Sequence, residues 1–388
     1  MEFGLTEEQL SIQQEVRRLC TRFGDDYWRA KDRDHEFPEE FYRAFAEGGW
    51  LGIATPEQYG GAGKGITEAA LIMEEVTASG GCAGAASSVH MNIFGVNPLV
   101  VHGSDAQKAA HLPGIVSGET KVCFAVTEPD TGLDTTRLKT RAVREGDHYR
   151  VDGRKVWIST AQVAHKILLL ARTTPEEETE RPIDGISLFF TDLDRDAVEV
   201  REIDKCGRAA VDSNELFIDG LRIPVEDRIG EEGQGFRYLL DGLNPERILV
   251  AAEAVGIGRV ALDRAARYAK ERVVFGRPIG QNQAVQHPLA DSWARIEAAR
   301  LLTFKAAWLY DRGRPCGAES NAAKLLAAEA GFQAADRAMQ TLGGFGYSKE
   351  YDVERYWREA KLFRMVPVTP ELILNYISER VLGLPRSY

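Results

Sequence analysis

Apolar residues recur at helical spacing over roughly the first 120 residues, then alternate, then return to helical spacing in an Ala-rich stretch. Near the start, Thr6-Glu7-Glu8 opens a helix whose apolar stripe is Leu10, Ile12, Val16, Leu19 and Phe23. Pro38-Glu39-Glu40 opens another, which runs through Phe41 and Phe45 to Gly48-Gly49, and a third covers Thr67 to Thr77. The small-residue run from Gly80 to Ser88 suits close helix packing and the lining of a channel. From about 121 the texture changes to alternating Val, Ile and Phe. Strands are predicted at Cys123–Val126, Ile167–Ala171, Gly185–Thr191, Val198–Ile203 and Asn214–Ile218, with the charged run Thr174–Arg181 as a loop. Helices are predicted again from Pro245 to about Val273, Gln286 to Arg312, Ala318 to Leu342 and Thr369 to Val381. The pattern is that of an α+β chain: a helical segment 1–120, a β segment 121–232 forming a barrel or sheet, and a helical bundle 233–388.

The most informative stretch runs from Cys123 to Thr160. A buried strand leads into the polar turn Thr127-Glu128-Pro129-Asp130-Thr131-Gly132. Further on, His148–Val151 alternates, Asp152-Gly153 is expected to turn a hairpin, and Lys155–Ser159 alternates again. Such a unit can hold a flat heteroaromatic ring, with Trp157 on its face and the Thr127 and Ser159 hydroxyls at its edge. Trp-bearing hairpins are more often plain core, so the stretch alone does not decide between the two.

Composition narrows the class. The length of 388 residues allows two or three domains, and a net charge of −11 without a Lys/Arg-rich block argues against nonspecific nucleic-acid binding. Five scattered cysteines without a CxxC pair, and dispersed histidines, point to a reducing compartment with neither a disulfide framework nor a zinc site. Without a leader-like N-terminus or a long apolar run, a cytoplasmic protein that does not enter a membrane is expected.

Two glycine motifs mislead. Tyr59-Gly60-Gly61-Ala62-Gly63-Lys64-Gly65 lacks the Ser or Thr that follows the lysine of a phosphate loop. Gly256-Ile257-Gly258-Arg259-Val260-Ala261 fits a loose dinucleotide fingerprint, but Ala251-Ala252-Glu253-Ala254 before it favours helix over strand.

The Thr127-Glu128-Pro129 turn, the following glycine and Asp134, Lys139-Thr140, and Asp152-Gly153-Arg154-Lys155-Val156-Trp157-Ile158-Ser159-Thr160 together resemble the acyl-CoA dehydrogenase flavoprotein family. The likeness extends over essentially the whole chain. It implies FAD as cofactor, an acyl-CoA substrate, an electron-transfer flavoprotein as partner and a homotetramer. Thr127, Trp157, Ser159 and Thr369 would surround the isoalloxazine ring. Arg272, Phe275, Gln283, Gln340 and Gly344 would hold the rest of FAD across a subunit interface, with Arg272 suited to pyrophosphate.

Three departures matter. Leu133 stands where the family usually has a serine that contacts the pyrophosphate, with Thr135 and Thr136 as candidate substitutes. Pro367 occupies the position of the late catalytic Glu of many members and removes a backbone N–H that helps bind the thioester oxygen. Like the isovaleryl- and long-chain-type members, this chain carries Glu246 within Leu243-Asn244-Pro245-Glu246-Arg247, which makes Glu246 the candidate base, with Asn244 and Arg247 beside the substrate. Asn244 as N-cap, Pro245 as first helical residue and Glu246 in the first turn would equally make a plain helix start. Glu371 is the competing late acid, expected to begin a helix and point away. A flavin-dependent acyl oxidase or monooxygenase is the rival enzyme, and a flavin-retaining DNA-binding relative the non-enzyme rival, disfavoured by the acidic balance.

Overall fold

A computed structural model describes residues 4–387. Seven helices come first: α1 (Glu7–Cys20), α2 (Asp25–Asp34), α3 (Glu39–Glu47), α4 (Ile66–Val76), α5 (Cys82–Val89), α6 (Asn97–His102) and α7 (Asp105–Val116). Thr6 caps α1 in a capping box with Gln9. Gly80, at φ 96°, makes the kink that separates α4 from α5.

Eight strands follow: β1 (Val122–Ala125), β2 (Arg141–Glu145), β3 (His148–Ser159), β4 (Lys166–Arg172), β5 (Ile186–Asp192), β6 (Val198–Glu202), β7 (Ser213–Pro224) and β8 (Arg228–Ile229). They form one sheet in the order β6-β7-β3-β2-β4-β5-β8, with β1 added parallel to β4, and the order does not close into a barrel. One face buries Ala142, Tyr149, Val151, Ile167, Phe189 and Ile223. The other packs Leu168, Leu170, Leu188 and Phe190 against Leu99 of α6 and Leu112 and Ile115 of α7.

The expected hairpin at Asp152-Gly153 is not there. β3 runs straight through, and the hairpin lies between β2 and β3, where Glu145 pairs with His148 and Gly146 takes φ 68°. Asp152 instead accepts a hydrogen bond from the Gly220 N–H (2.8 Å) at a bulge in β7. Gly153 lies against Thr140, where a Cβ would come within 2.5 Å of the hydroxyl. An Asp-Gly pair serves a bulge and a close contact as readily as a turn.

The C-terminal part contains α8 (Gly235–Glu271), a small hairpin of β9 (Val273–Val274) and β10 (Arg277–Pro278), then α9 (Gln283–Asp311), α10 (Gly317–Leu342), α11 (Val353–Phe363) and α12 (Pro370–Tyr376). Here too the structure corrects the sequence reading. α8 starts ten residues before Pro245, which lies inside it, so Asn244 is no N-cap and Glu246 is not in a first turn. Leu239 and the partly buried Phe236 and Leu243 share a helical face against the sheet core, which explains the early start. α11 was not anticipated. All five cysteines are free thiols. Among the described residues, no helix is long and apolar enough to cross a membrane, and no group of three or more His, Cys, Asp or Glu side chains could hold a metal ion.

The glycines of the false dinucleotide fingerprint are packing contacts. A Cβ on Gly256 would stand 1.9 Å from Thr77 Oγ1 and 2.3 Å from the Glu74 carbonyl of α4. Gly258 meets Gly331 of α10, whose own Cβ would come within 2.4 Å of the Ala254 carbonyl. Gly256→Ala is therefore expected to destabilise the protein by at least ~1–3 kcal/mol, the usual cost of overpacking, measured by urea denaturation. Gly132→Ala, with open space around its Cβ, should change stability far less.

Candidate active site

The turn after β1 is fastened from below. Glu128 is buried and accepts the backbone N–H groups of Lys139 (2.6 Å) and Thr140 (3.0 Å). Its other partner is the fully buried Lys155 of β3, whose Nζ donates to Glu128 Oε1 (2.9 Å) and to the Val126 carbonyl (3.1 Å). Burial alone would push the Glu128 carboxyl up, but the Lys155 charge and the N–H donors hold it below the usual range. Burial depresses the Lys155 ammonium to about 8, against the pull of Glu128. At neutral pH this is an ionised pair inside the protein.

The pair fixes a bulge. Between Lys155 and Ile158 the register of β3 slips against β7, and the Val156 N–H leaves the ladder to bond the Thr127 carbonyl (2.9 Å). Trp157 takes φ 64° there and is thrown outward, 59% exposed, while Ser159 stays half-buried. Thr127 is thus held against the Val156–Trp157 bulge, and Ser159 lies two residues further along β3. Leu133 is also exposed, at φ 70°, in the loop after the turn. The Thr136 hydroxyl donates to Asp134 (2.7 Å), and Thr135 begins a 3-10 turn.

A second group gathers on the C-terminal helices. Glu246 is half-buried on α8. Burial pushes its carboxyl up to about 7, the adjacent Arg247 guanidinium pulls it down, and the Glu253 charge adds to the rise. Burial lowers Arg247, which faces Glu246, Tyr376 and Cys316. Its Nε has no hydrogen-bond partner among the described residues, and its Nη1 reaches Asn244 Oδ1 at 3.5 Å. Asn244 also accepts from Ser320 of α10 (3.0 Å). One turn on, buried Lys324 donates to the Val368 carbonyl (2.6 Å), so α10 holds the segment containing Pro367 and Thr369. Burial depresses the Lys324 ammonium to about 8. Thr369 is the N-cap of α12, accepting from the Leu372 N–H, and Glu371 is exposed in the first turn.

The third group lies at the far end of α8. Arg272 follows the helix, with its guanidinium over the Phe345 ring (5.8 Å to the centroid). Phe275 and Gly276, both at positive φ, turn the β9–β10 hairpin, and Phe275 is fully exposed at its tip. Arg272 and Gly344 line one groove of about 630 Å³, and Gln340 lines a neighbouring cavity of about 850 Å³; Gly343 borders both. Gln283 is exposed at the start of α9. Glu246 and Arg272 are 26 positions apart on one helix, about 39 Å along its axis. Within one chain Arg272 therefore lies far from Glu246. Sequence reasoning missed Lys155, Lys324 and Glu253. Lys155 and Glu128 were in view within the motif, but nothing in the sequence pairs them across 27 positions.

With this geometry in hand, the chain can be compared with known proteins. Three family models match in succession: the acyl-CoA dehydrogenase N-terminal domain over residues 6–119, middle domain over 123–221 and C-terminal domain over 233–382. The acyl-CoA dehydrogenase fadE12 of Mycobacterium bovis is 38% identical over 387 residues, covering 99% of this chain and 98% of that protein. The glutaryl-CoA dehydrogenase–glutaryl-CoA complex superposes with a TM-score of 0.94 at 33% identity, covering 100% of this chain and 98% of that one. A chain solved in work on the electron transferring flavoprotein of Acidaminococcus fermentans gives a TM-score of 0.94 at 32% identity, covering 98% and 100%. Matched along its whole length in this way, the three-part fold is that of a cofactor-dependent oxidoreductase. The chain belongs to the acyl-CoA dehydrogenase family of FAD-dependent oxidoreductases.

The residues present fit the cofactor: an outward-facing indole beside hydroxyls for a planar ring, and a guanidinium in a groove for a pyrophosphate. Lys155→Met would leave Glu128 buried without its counter-charge, with an expected loss of about 3–5 kcal/mol in urea denaturation. Adding Glu128→Gln should recover part of that loss. Because the folded value of Glu128 lies below its unfolded one, its contribution is full above the ordinary carboxylate range and is lost as pH falls through the folded value. Lys155 has the same slope in a different window: its folded value of about 8 lies below the unfolded ~10.4, so stability from this residue also rises with pH between the two, as the cost of burying its charge is relieved.

Proposed function

We propose that this protein oxidises an acyl-CoA thioester between Cα and Cβ to the trans-2-enoyl-CoA, with Glu246 as the base that removes the α-proton. The observation that carries the reading is the Glu246 carboxyl on α8, raised to about 7 by burial and not engaged in capping a helix. A base works best with a proton affinity near the working pH, and Glu246 has that property. The exposed Glu371 is held below the usual carboxylate range by hydrogen bonds, first from its own backbone and then from Thr369, which makes it a poor base near neutrality. When bound, FAD supplies the acceptor for the β-hydride, and the electrons pass on to an electron-transfer flavoprotein.

In this reading Trp157 stacks on the ring, and Thr127, Ser159 and Thr369 address its edge. Arg272, Phe275, Gln283, Gln340 and Gly344 serve a cofactor lying between subunits, which requires a homo-oligomer; a homotetramer is the proposed working form. The 39 Å spacing along α8 and the exposed tip of the β9–β10 hairpin support that arrangement. Asn244 and Arg247 line the substrate side; the unpartnered Arg247 Nε is a buried donor turned toward no protein acceptor. Lys324 fixes the Val366–Thr369 segment, where Pro367 offers no N–H to the thioester oxygen. That missing donor favours a second reading, an acyl oxidase or monooxygenase on the same scaffold. Fast reaction of the substrate-reduced protein with dioxygen would distinguish it.

Glu246→Gln should lower the anaerobic rate of flavin bleaching by acyl-CoA about 10²–10⁴-fold, with FAD content nearly unchanged. Glu371→Gln should bleach normally, and a dead Glu371→Gln beside an active Glu246→Gln would reverse the assignment. In the unmodified protein, kcat/KM should rise as pH increases through about 7, because only the ionised carboxylate can take the proton. Arg272→Ala should lose FAD on dilution and gel filtration, together with tetramer. Unchanged FAD affinity would remove Arg272 from the site.

A further inference from the structure

A second acid, Glu253, follows Glu246 by seven positions on α8. Seven residues are two turns less about 20°, so the two carboxylates share a face about 10.5 Å apart along the axis. Glu253 is fully buried. Its Oε1 and the Nδ1 of His90, just past the end of α5, share a hydrogen bond of 2.7 Å. Its Oε2 meets no hydrogen-bond partner among the described residues.

From the loop between β6 and β7, buried Arg208 is near enough to feel the Glu253 charge without touching it. Its Nη1 donates to Ser87 (3.1 Å) and its Nη2 to Ser213 (2.5 Å), while its Nε is unpartnered. The charges acting on Arg208 are Asp212, Glu359 of α11 and Glu253 itself. A buried carboxylate with one oxygen unsatisfied is a poor device for stability, since an apolar side chain of similar volume would serve as well or better. It does place a negative charge, in a medium that screens weakly, along the face that carries Glu246. The other charges around Glu246 are Arg247 on its own helix and, beyond Arg247, Lys324 of α10 and Tyr376 of α12.

We propose that Glu253, held in place by His90, is a positioning residue that sets the proton affinity of Glu246 without touching substrate. His90 is the one hydrogen-bond partner of Glu253 among the described residues. The proposal rests on Glu246 being the base.

Glu253→Gln keeps the volume and the acceptor for His90 but removes the charge. At ~10 Å and an effective dielectric of ~20, the coupling amounts to a shift on the order of one pH unit. The acid limb of the pH–rate profile for anaerobic flavin bleaching should therefore move about one unit to lower pH in FAD-loaded Glu253→Gln. Glu253→Asp should restore the wild-type limb. His90→Leu offers a second route should Glu253→Gln fail to fold: it strips the acid of its donor, favours its protonation and should move the limb the same way. A limb that stays in place, or moves to higher pH, in the folded, FAD-loaded variants overturns the proposal. If Glu246→Gln is inactive while that limb stays put, only the role of Glu253 falls; if Glu246→Gln bleaches normally, the base assignment falls and this inference with it.

Discussion

Everything in this protein hangs on keeping one helix of 37 residues unbroken through the interior. Such a helix is about 55 Å long, and its neighbours α4, α9 and α10 must come close enough to bury it. Glycines at 256, 258 and 331 allow that approach, because side chains there would collide with backbone or buried side-chain atoms of the adjoining helices. Pro245 is tolerated inside the helix because packing on the sheet core before it and in the bundle after it outweighs one lost hydrogen bond. The residue after that proline is Glu246, so the elevated carboxyl sits where the helix passes from the sheet to the bundle.

The sheet contributes a different kind of constraint. A buried ion pair, Glu128 with Lys155, ties the turn after β1 to the middle of β3 and holds the bulge that presents Trp157. Burying two charges is expensive, and the cost is offset only because the carboxylate also accepts from two backbone N–H groups and the ammonium also donates to a carbonyl. The result is a large aromatic ring left facing outward at a backbone conformation that side chains rarely adopt. Such an arrangement makes sense at a surface meant to be covered by another flat group.

The fold was largely readable because its periodicities are strong. Ile12, Val16 and Leu19 declare a helix, and Ile186–Phe190 a buried strand, whatever surrounds them, although the helix ends at Cys20 and leaves Phe23 beyond it. The errors came where a local signal competed with packing. Asn244-Pro245 reads as a helix start, yet Leu239 and Leu243 extend the helix backward by anchoring it to the sheet. Asp152-Gly153 reads as a turn, yet both residues serve contacts with β7 and Thr140. Of the site, the motif-borne residues could be named in advance because the family resemblance supplied their roles. Lys155, Lys324, His90 and Glu253 could not, because their partners lie 27, 44 and 163 positions away, distances over which only the folded chain creates a relationship.

The unbroken run from Glu246 to Arg272 also bears on how this sequence can drift. Inserting one residue anywhere between them would rotate everything beyond it by about 100° and advance it by about 1.5 Å. The glycine contacts would turn away from their partners, and the guanidinium would point to a different quarter of the molecule. Substitutions along this stretch are graded in their effect, but a change in length is all or nothing. Among related chains, the separation between these two side chains should therefore vary far less than their surroundings.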